Sequence, residues 1–384
     1  MEKKDYYKTK ELIISLTGEN SHKIILESGV GSISIGTKGK SNGKFDILFE
    51  ENKIINWNAF NDCVKSFYPW PRFFYYSGND IGFIEWSKTR RIEEFAWHPL
   101  KEIKVDFTDA NISRLELHAE NKIELSIGNN INYLDLYGTI SNYYINRCDS
   151  VPALEFWFKQ EKDIKTYKLP NYDSLKLAKV VQITIDPMGV PFDCKTLLQF
   201  KDLEEVNLNG NMINLEILKE FKKLKKIGLW NIKNLSDFPE LSTWNELSSF
   251  IAVNIDETVG KRIREELKPL IKSEKLEDYS NVSNLRNMEW FEKNCGIPFT
   301  YWDRNEKKAM RIYNSCLKKV SNSKTEDEIK EAVIEYTNSF NSLKDIESIE
   351  QDDIYSSLCI IMKYSPITIE EEKWLDWFEQ TREF

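Results

Sequence analysis

The chain has 384 residues, of which 53 are lysine or arginine and 62 aspartate or glutamate, so its formal charge is −9; 41% of residues are hydrophobic and 13% aromatic. That apolar share excludes a disordered chain, and the length predicts two or three folding units. The acidic balance argues against a nucleic-acid partner, which needs clustered cations to displace counterions from phosphates.

Aromatic residues are plentiful, with 11 Trp, 17 Tyr and 21 Phe, whereas only 3 His and 6 Cys are present. This balance favours packing and recognition over metal or acid–base chemistry. The N-terminal ten residues are polar and charged, and the apolar run at 12–16 is too short for a signal sequence. No run of about 18 apolar residues occurs, so no membrane span is predicted. The cysteines (Cys63, Cys148, Cys194, Cys295, Cys316, Cys359) are scattered, without metal-knuckle spacing, and suit a reducing cytoplasm.

Residues 1–100 read as a β-rich, aromatic N-terminal cap, with strand-like runs at 12–16, 23–26, 32–35 and 45–49. Trp57, Phe60, Phe67, Tyr68, Trp70, Phe73, Phe74, Tyr75 and Tyr76 then crowd around Pro69 and Pro71. They read either as a stacking surface for a sugar or peptide, or as a core between cap and array. Large aromatics dominate cores by area, so the core reading is preferred, and exposure decides between the two.

From residue 103 to 255 a spacing of apolar, x, x, apolar, x, apolar recurs. Its copies are Ile112, Leu115, Leu117; Ile131, Leu134, Leu136; Val151, Leu154, Phe156; Val180, Ile183, Ile185; Leu203, Val206, Leu208; Leu224, Ile227, Leu229; and Leu247, Phe250, Ala252. Middle positions are 19, 20, 29, 23, 21 and 23 residues apart. Each copy alternates like a half-buried strand, and residues 212–221 have the spacing of a short helix. One copy cannot bury its apolar side alone, so the copies must stack.

The segment Leu203-Glu-Glu-Val206-Asn-Leu208-Asn-Gly-Asn211 resembles the LxxLxLxxN core of leucine-rich repeats, and the period agrees with that family. The resemblance implies an α/β fold, an irregular leucine-rich-repeat solenoid with parallel β-strands. In that family the terminal asparagine bonds neighbouring turns. The other copies carry Glu120, Thr139, Lys159, Met188 and Ile232 there, so a largely missing asparagine ladder and uneven curvature are expected.

Residues 255–272 read as an amphipathic closing helix and 273–283 as a polar linker. Helices are predicted at 306–321, 326–339, 352–364 and 369–382, with Thr325 and Ser365-Pro366 as start and break signals. The expected divisions are thus a cap at 1–100, the solenoid at 101–272 and a helical acidic module at 284–384. The last 64 residues hold 16 acidic and 6 basic side chains, a net −10. Tyr336, Phe340-Asn341, Ile346-Glu347, Asp352-Asp353-Ile354, Trp377-Phe378 and Arg382-Glu383-Phe384 resemble C-terminal segments of uncharacterised bacterial leucine-rich-repeat proteins, some similar to components of toxin–immunity loci. That resemblance carries no catalytic residue.

His22, His98 and His118 belong to no metal or catalytic motif, and no nucleophile elbow or phosphate loop is present. Gly29-Val-Gly31 and Gly36-Thr-Lys-Gly39 read as turns. Glu326-Asp-Glu328, Asp352-Asp353 and Glu370-Glu-Glu372 lack calcium-loop spacing, and carboxylates at helix starts favour the helix dipole. No enzyme activity, metal or cofactor is expected. The lysine run Lys219, Lys222, Lys223, Lys225 and Lys226 reads as a solvated face.

In each strand-like copy the leucines point inward, which gathers the intervening residues on the opposite, exposed face. Glu116, Asp135 and Glu155 then share one column, and His118, Tyr137 and Trp157 the next. With Tyr133, Asp186 and Trp230 they form the expected partner-binding face. An acidic stripe beside an aromatic stripe suits a basic protein partner, of the kind met by an immunity or scaffold protein.

Overall fold

The computed structural model describes the chain except residues 1–9, 27–30, 42–44, 62, 66–67, 160, 162, 296, 298, 300–301, 303, 345 and 347. The chain is α/β and falls into two units, Met1–Met288 and Glu289–Phe384. No helix among the described residues is long and apolar enough to cross a membrane.

The first unit is built on a twelve-stranded parallel sheet. In chain order its strands are β1 (Ser32–Thr37), β2 (Ile47–Phe49), β3 (Phe73–Ser77), β4 (Ile92–His98), β5 (Ile112–Ala119), β6 (Tyr133–Gly138), β7 (Ala153–Phe158), β8 (Val180–Thr184), β9 (Glu205–Asn209), β10 (Lys226–Trp230), β11 (Ser249–Asp256) and β12 (Asn281–Arg286). From β3 to β12 each strand lies beside its successor; only β1 and β2 break this order, with β1 between β2 and β3.

Parallel, in-register pairing stacks like positions. Ile33, Phe74, Phe95, Leu115, Leu134, Leu154, Val181, Val206, Ile227 and Phe250 form one buried row across ten strands. Each is at most 2% exposed. Burying a side chain of this size contributes roughly 1.5–3 kcal/mol, so the row is a principal stabiliser of the unit.

The fourth copy is in a different register from the one expected. Val181, not Ile183, pairs with Leu154, which places Ile183 opposite Phe156. A triplet anchored at Val180 is reasonable by spacing alone, but backbone pairing continues unbroken from Val181 to Val206 and selects the earlier position.

Between strands the chain returns in two ways. After β4, β5 and β6 the return leg is itself a strand, and Ile103–Phe107, Ile123–Ile127 and Tyr143–Cys148 make a second parallel sheet. After β7 to β10 it contains 3-10 turns, including Asp173–Leu175, Cys194–Gln199, Leu215–Glu220 and Leu241–Thr243. The helix expected at 212–221 is thus a short strand, Met212–Ile213, followed by a 3-10 turn. A 3-10 turn rises about 2.0 Å per residue against about 1.5 Å for an α-helix, and so crosses the unit in fewer residues.

The asparagine ladder is missing over the earlier strands, as expected, and a short one runs over the later strands, one residue earlier than the position of Asn211. Gly138, Gly210, Asn231, Asn254 and Asn284 all have positive φ, a conformation that Gly and Asn tolerate best, at equivalent strand positions. Asn231 Nδ2 donates to Asn209 Oδ1 at 2.8 Å and Asn254 Nδ2 to Asn231 Oδ1 at 3.2 Å, while Arg286 Nε donates to Asn254 Oδ1 at 3.0 Å. Asn211, at the expected offset, donates to the Gly189 carbonyl at 2.7 Å.

The division expected at residue 100 is not a division of the structure, since β1 to β4 continue the same sheet and core. The linker expected at 273–283 contains the start of β12, and the unit ends at Met288. Gly29 and Phe67 lie outside the described residues. Trp57, Phe60, Trp70, Phe74 and Tyr76 are only 0–4% exposed. Trp57 packs on Phe74, Tyr76, Phe83, Trp86 and Phe95, so these rings form core. Of the remaining described rings Tyr75 is exposed, and its hydroxyl bonds Glu94.

The second unit is helical, with Glu306–Asn322, Glu326–Asn341, Ser348–Met362 and Glu371–Thr381 around a core that includes Tyr313, Val333, Tyr336, Phe340, Leu358 and Phe378. Thr325 and Glu328 form a capping box that starts the second of these helices. The third begins four residues before Asp352, so Asp352-Asp353 do not open it. Burial raises the carboxyls of both, and Trp302 Nε1 donates to Asp353 at 2.9 Å.

Candidate functional site

On the exposed face of the sheet, three strands carry an uninterrupted pattern. Arg114 pairs in register with Tyr133, Glu116 with Asp135, and His118 with Tyr137. Asp135 then pairs with Glu155, and Tyr137 with Trp157. Neighbouring strands lie about 4.7–4.9 Å apart, a spacing that planar rings can match by stacking. The rings do so: His118 and Tyr137 are 4.5 Å apart at 18°, and Tyr137 and Trp157 are 5.2 Å apart at 13°.

Below this stack lie four carboxylates and one guanidinium. Arg114 Nε donates to Asp135 Oδ2 at 2.5 Å, and its Nη2 donates to Glu155 Oε2 at 3.3 Å. The guanidinium also lies 5.9 Å from the ring centre of Tyr133. Glu155 Oε1 accepts from Gln182 Nε2 at 2.5 Å and from Trp157 Nε1. His118 Nε2 meets Glu116 Oε1 at 2.5 Å. Glu94 pairs in register with Arg114 from β4.

One cation does not satisfy four carboxylates. Asp135 is only 2% exposed, and burial pushes its carboxyl up to about 7 against the pull of Arg114; Glu155 and Glu116 add to the rise. Burial also raises Glu155 and Glu94, each helped by the charge of Glu116. Burial lowers the Arg114 guanidinium, but Asp135 and Glu155 more than offset it, and its net shift is upward. The Tyr137 hydroxyl rises through burial and then through Glu116, Glu155 and Asp135.

A groove of about 510 Å³ opens at the carboxyl ends of these strands, lined by His98, His118, Glu120, Tyr137, Trp157 and Lys159 among others. Lys159 Nζ reaches Glu120 at 3.4 Å, and burial lowers the imidazole of His98. Beneath the groove the buried Tyr143 hydroxyl accepts from the Ala119 amide at 2.8 Å and lies 2.7 Å from the Tyr137 carbonyl, pinning two strand ends. Among the described residues no group of three or more His, Cys, Asp or Glu side chains is arranged to hold a metal ion.

The structure brings together Glu116, His118, Tyr133, Asp135, Tyr137, Glu155 and Trp157, but not Asp186 and Trp230. Because β8 pairs two residues earlier than expected, Gln182 follows Glu155 and Thr184 follows Trp157. Asp186 falls past the end of β8, where its carboxylate accepts the Met188 amide at 2.9 Å. Trp230 shares the aromatic column, but Thr184 and Asn209 separate it from Trp157. Glu94 was not expected; Gln182 was expected on this face, but one column away, beside Ala153 rather than Glu155. Glu94 had a signal, since Ile92, Phe95 and Trp97 repeat the apolar spacing just before the recognised array. Comparison with protein-family models, curated proteins and solved structures finds no match for this chain.

Proposed function

We propose that the first unit is an irregular solenoid of the leucine-rich-repeat type and that the chain acts by non-covalent binding, holding a basic protein partner on the exposed sheet face around Glu116, Asp135, Tyr137, Glu155 and Trp157. An immunity-type or scaffold role suits such a surface. The one observation that carries the reading is a cluster of four carboxylates with a single arginine, bonded to two of them, beside a stacked row of His118, Tyr137 and Trp157. An unneutralised acidic field steers a basic partner toward the face, and large rings anchor it on arrival.

The reading assigns no catalytic step. The His118 ring is fixed by Glu116 and stacked on Tyr137, and Asp135 and Glu155 are engaged by Arg114. Cys148, Cys194, Cys316 and Cys359 are free thiols, which suits a reducing cytoplasm. The burial of Trp57, Phe60, Trp70, Phe74 and Tyr76 withdraws these rings from any sugar-stacking surface.

The test is co-purification with the products of neighbouring genes, followed by titration calorimetry of the captured protein. Tyr137→Ala with Trp157→Ala should weaken binding by at least 10-fold, each lost aromatic anchor being worth about 1 kcal/mol or more. Unchanged affinity in the double variant, with its circular dichroism intact, would remove this face as the binding surface.

A further inference from the structure

We infer that the group this face takes from its partner is an arginine side chain, laid flat on the open side of Trp157 with its guanidinium paired to Glu155. The inference rests on the reading of the face as a protein-binding surface and specifies the chemistry of the contact.

The ring stack is open at one end. Tyr137 covers one side of Trp157 at 5.2 Å, but the next residue in the column is Thr184 and the one after it Asn209. Neither carries a ring, and Trp157 is 37% exposed. The stack therefore ends at the far face of Trp157, a slot that no ring of the column fills. The Thr184 Oγ1 beside it is buried and without a hydrogen-bond partner.

Glu155 stands at the foot of that slot. Its Oε1 is held by Trp157 Nε1 and Gln182 Nε2, whereas Oε2 takes only the longer of the two Arg114 contacts, 3.3 Å against 2.5 Å to Asp135. An arriving cation takes Oε2, and Arg114 keeps Asp135. Glu94, Glu116, Asp135 and Glu155 outnumber the one cation among them, Arg114, so charge complementarity selects a cation. Planarity then selects which cation. A guanidinium stacks on an indole face while pairing with a carboxylate, and it is more weakly hydrated than an ammonium group. A lysine can satisfy Glu155 but cannot fill the slot.

The experiment is titration calorimetry at low ionic strength with tetra-arginine and tetra-lysine peptides of equal charge, against the full chain and its Trp157→Ala and Glu155→Gln variants. The wild-type chain should bind tetra-arginine about 10-fold more tightly than tetra-lysine. That preference should shrink to about twofold in Trp157→Ala, and Glu155→Gln should weaken both peptides. Glu155→Gln is isosteric and keeps the test alive if Trp157→Ala does not fold: it too must lose more arginine than lysine affinity. Equal binding of the two peptides, both weakened by Glu155→Gln, overturns the arginine contact but leaves the basic-partner reading standing. A preference for arginine that survives Trp157→Ala overturns the slot, and failure of both peptides to bind the wild-type chain overturns the contact and that reading together.

Discussion

Replacing Asp135 by asparagine removes the most deeply buried charge of the face while keeping its shape. In the native chain this carboxyl is pushed up to about 7, from the ordinary 3.8 that it regains on unfolding. Between those values the native state holds about one proton more than the unfolded chain, so stability falls as pH rises, by about 1.4 kcal/mol per unit. The contribution is complete below the unfolded value and lost as pH passes the folded one. Raising pH from 5 to 7 therefore costs the wild-type chain on the order of 2 kcal/mol that the asparagine variant retains. Glu155 and Glu94 shift in the same direction but are present in both proteins, so they largely cancel in the comparison. Arg114 is not stranded by the substitution, because Glu155 still accepts from it. The assay is amide hydrogen exchange over the strand Tyr133–Gly138 at pH 5, 6 and 7, corrected for intrinsic exchange. The opening free energy should fall across this window in the wild type and stay nearly level in the variant. Equal slopes would mean that the attraction of Arg114 outweighs burial and that Asp135 is charged throughout.

Three further outcomes follow from the fold. Asn254→Ala should destabilise the first unit by about 3 kcal/mol in urea denaturation, through left-handed strain and loss of its contacts to Asn231 and Arg286; Asn254→Gly relieves the strain alone and should cost about 1 kcal/mol less. Gly210→Ala should lower stability by about 3 kcal/mol, seen as a lower Tm, because φ is +112° and a Cβ would lie 2.2 Å from the Ile185 carbonyl oxygen. Tyr336→Phe should cost the helical unit about 1–2 kcal/mol, since the hydroxyl donates to the Ile354 carbonyl at 2.8 Å and meets Ser357 Oγ at 2.5 Å; exchange protection in β5 to β7 should be unchanged.

The strands of the sheet were legible because alternation and a recurrent spacing are local signals. Leu115, Leu134 and Leu154 could be aligned by counting, and the columns beside them followed. Counting failed at the fourth copy, where Val180, Val181, Ile183 and Ile185 offer two equally apolar frames and only backbone pairing with Val206 chooses between them. That slip carried Asp186 into the predicted face and left Gln182 out of its true place beside Glu155. The asparagine ladder was missed for a related reason. The leucine-rich-repeat pattern points to the offset of Asn211, whereas Asn231 and Asn254 sit one residue earlier, where the chain needs positive φ. The shared use of Arg114 by Asp135 and Glu155 was not visible, because spacing gives columns but not the diagonal reach of a long side chain.

Like charges directly opposite one another on adjacent strands destabilise a sheet. Here Glu116, Asp135 and Glu155 occupy one row, with a single arginine reaching two of them from the neighbouring row, and the row is partly buried. The remainder of the sheet avoids this arrangement, since the same column continues as Gln182, Asn207, Gly228 and Ile251, all uncharged. The ring column is confined in the same way, as Thr184 and Asn209 follow Trp157. Repeat geometry by itself would impose neither feature, for the inward row tolerates any apolar residue and the outward rows accept any polar one. Charge is therefore concentrated on three adjacent strands against the stability of the sheet, and unrelieved carboxylates of raised pKa are a mark of functional sites. A cation brought by a partner relieves the repulsion, so binding should be stronger at pH 8, where Asp135 is ionised, than at pH 5, where it is protonated. Calorimetry of tetra-arginine at the two values would show this, and affinity that does not rise with pH would separate the acidic row from the binding event.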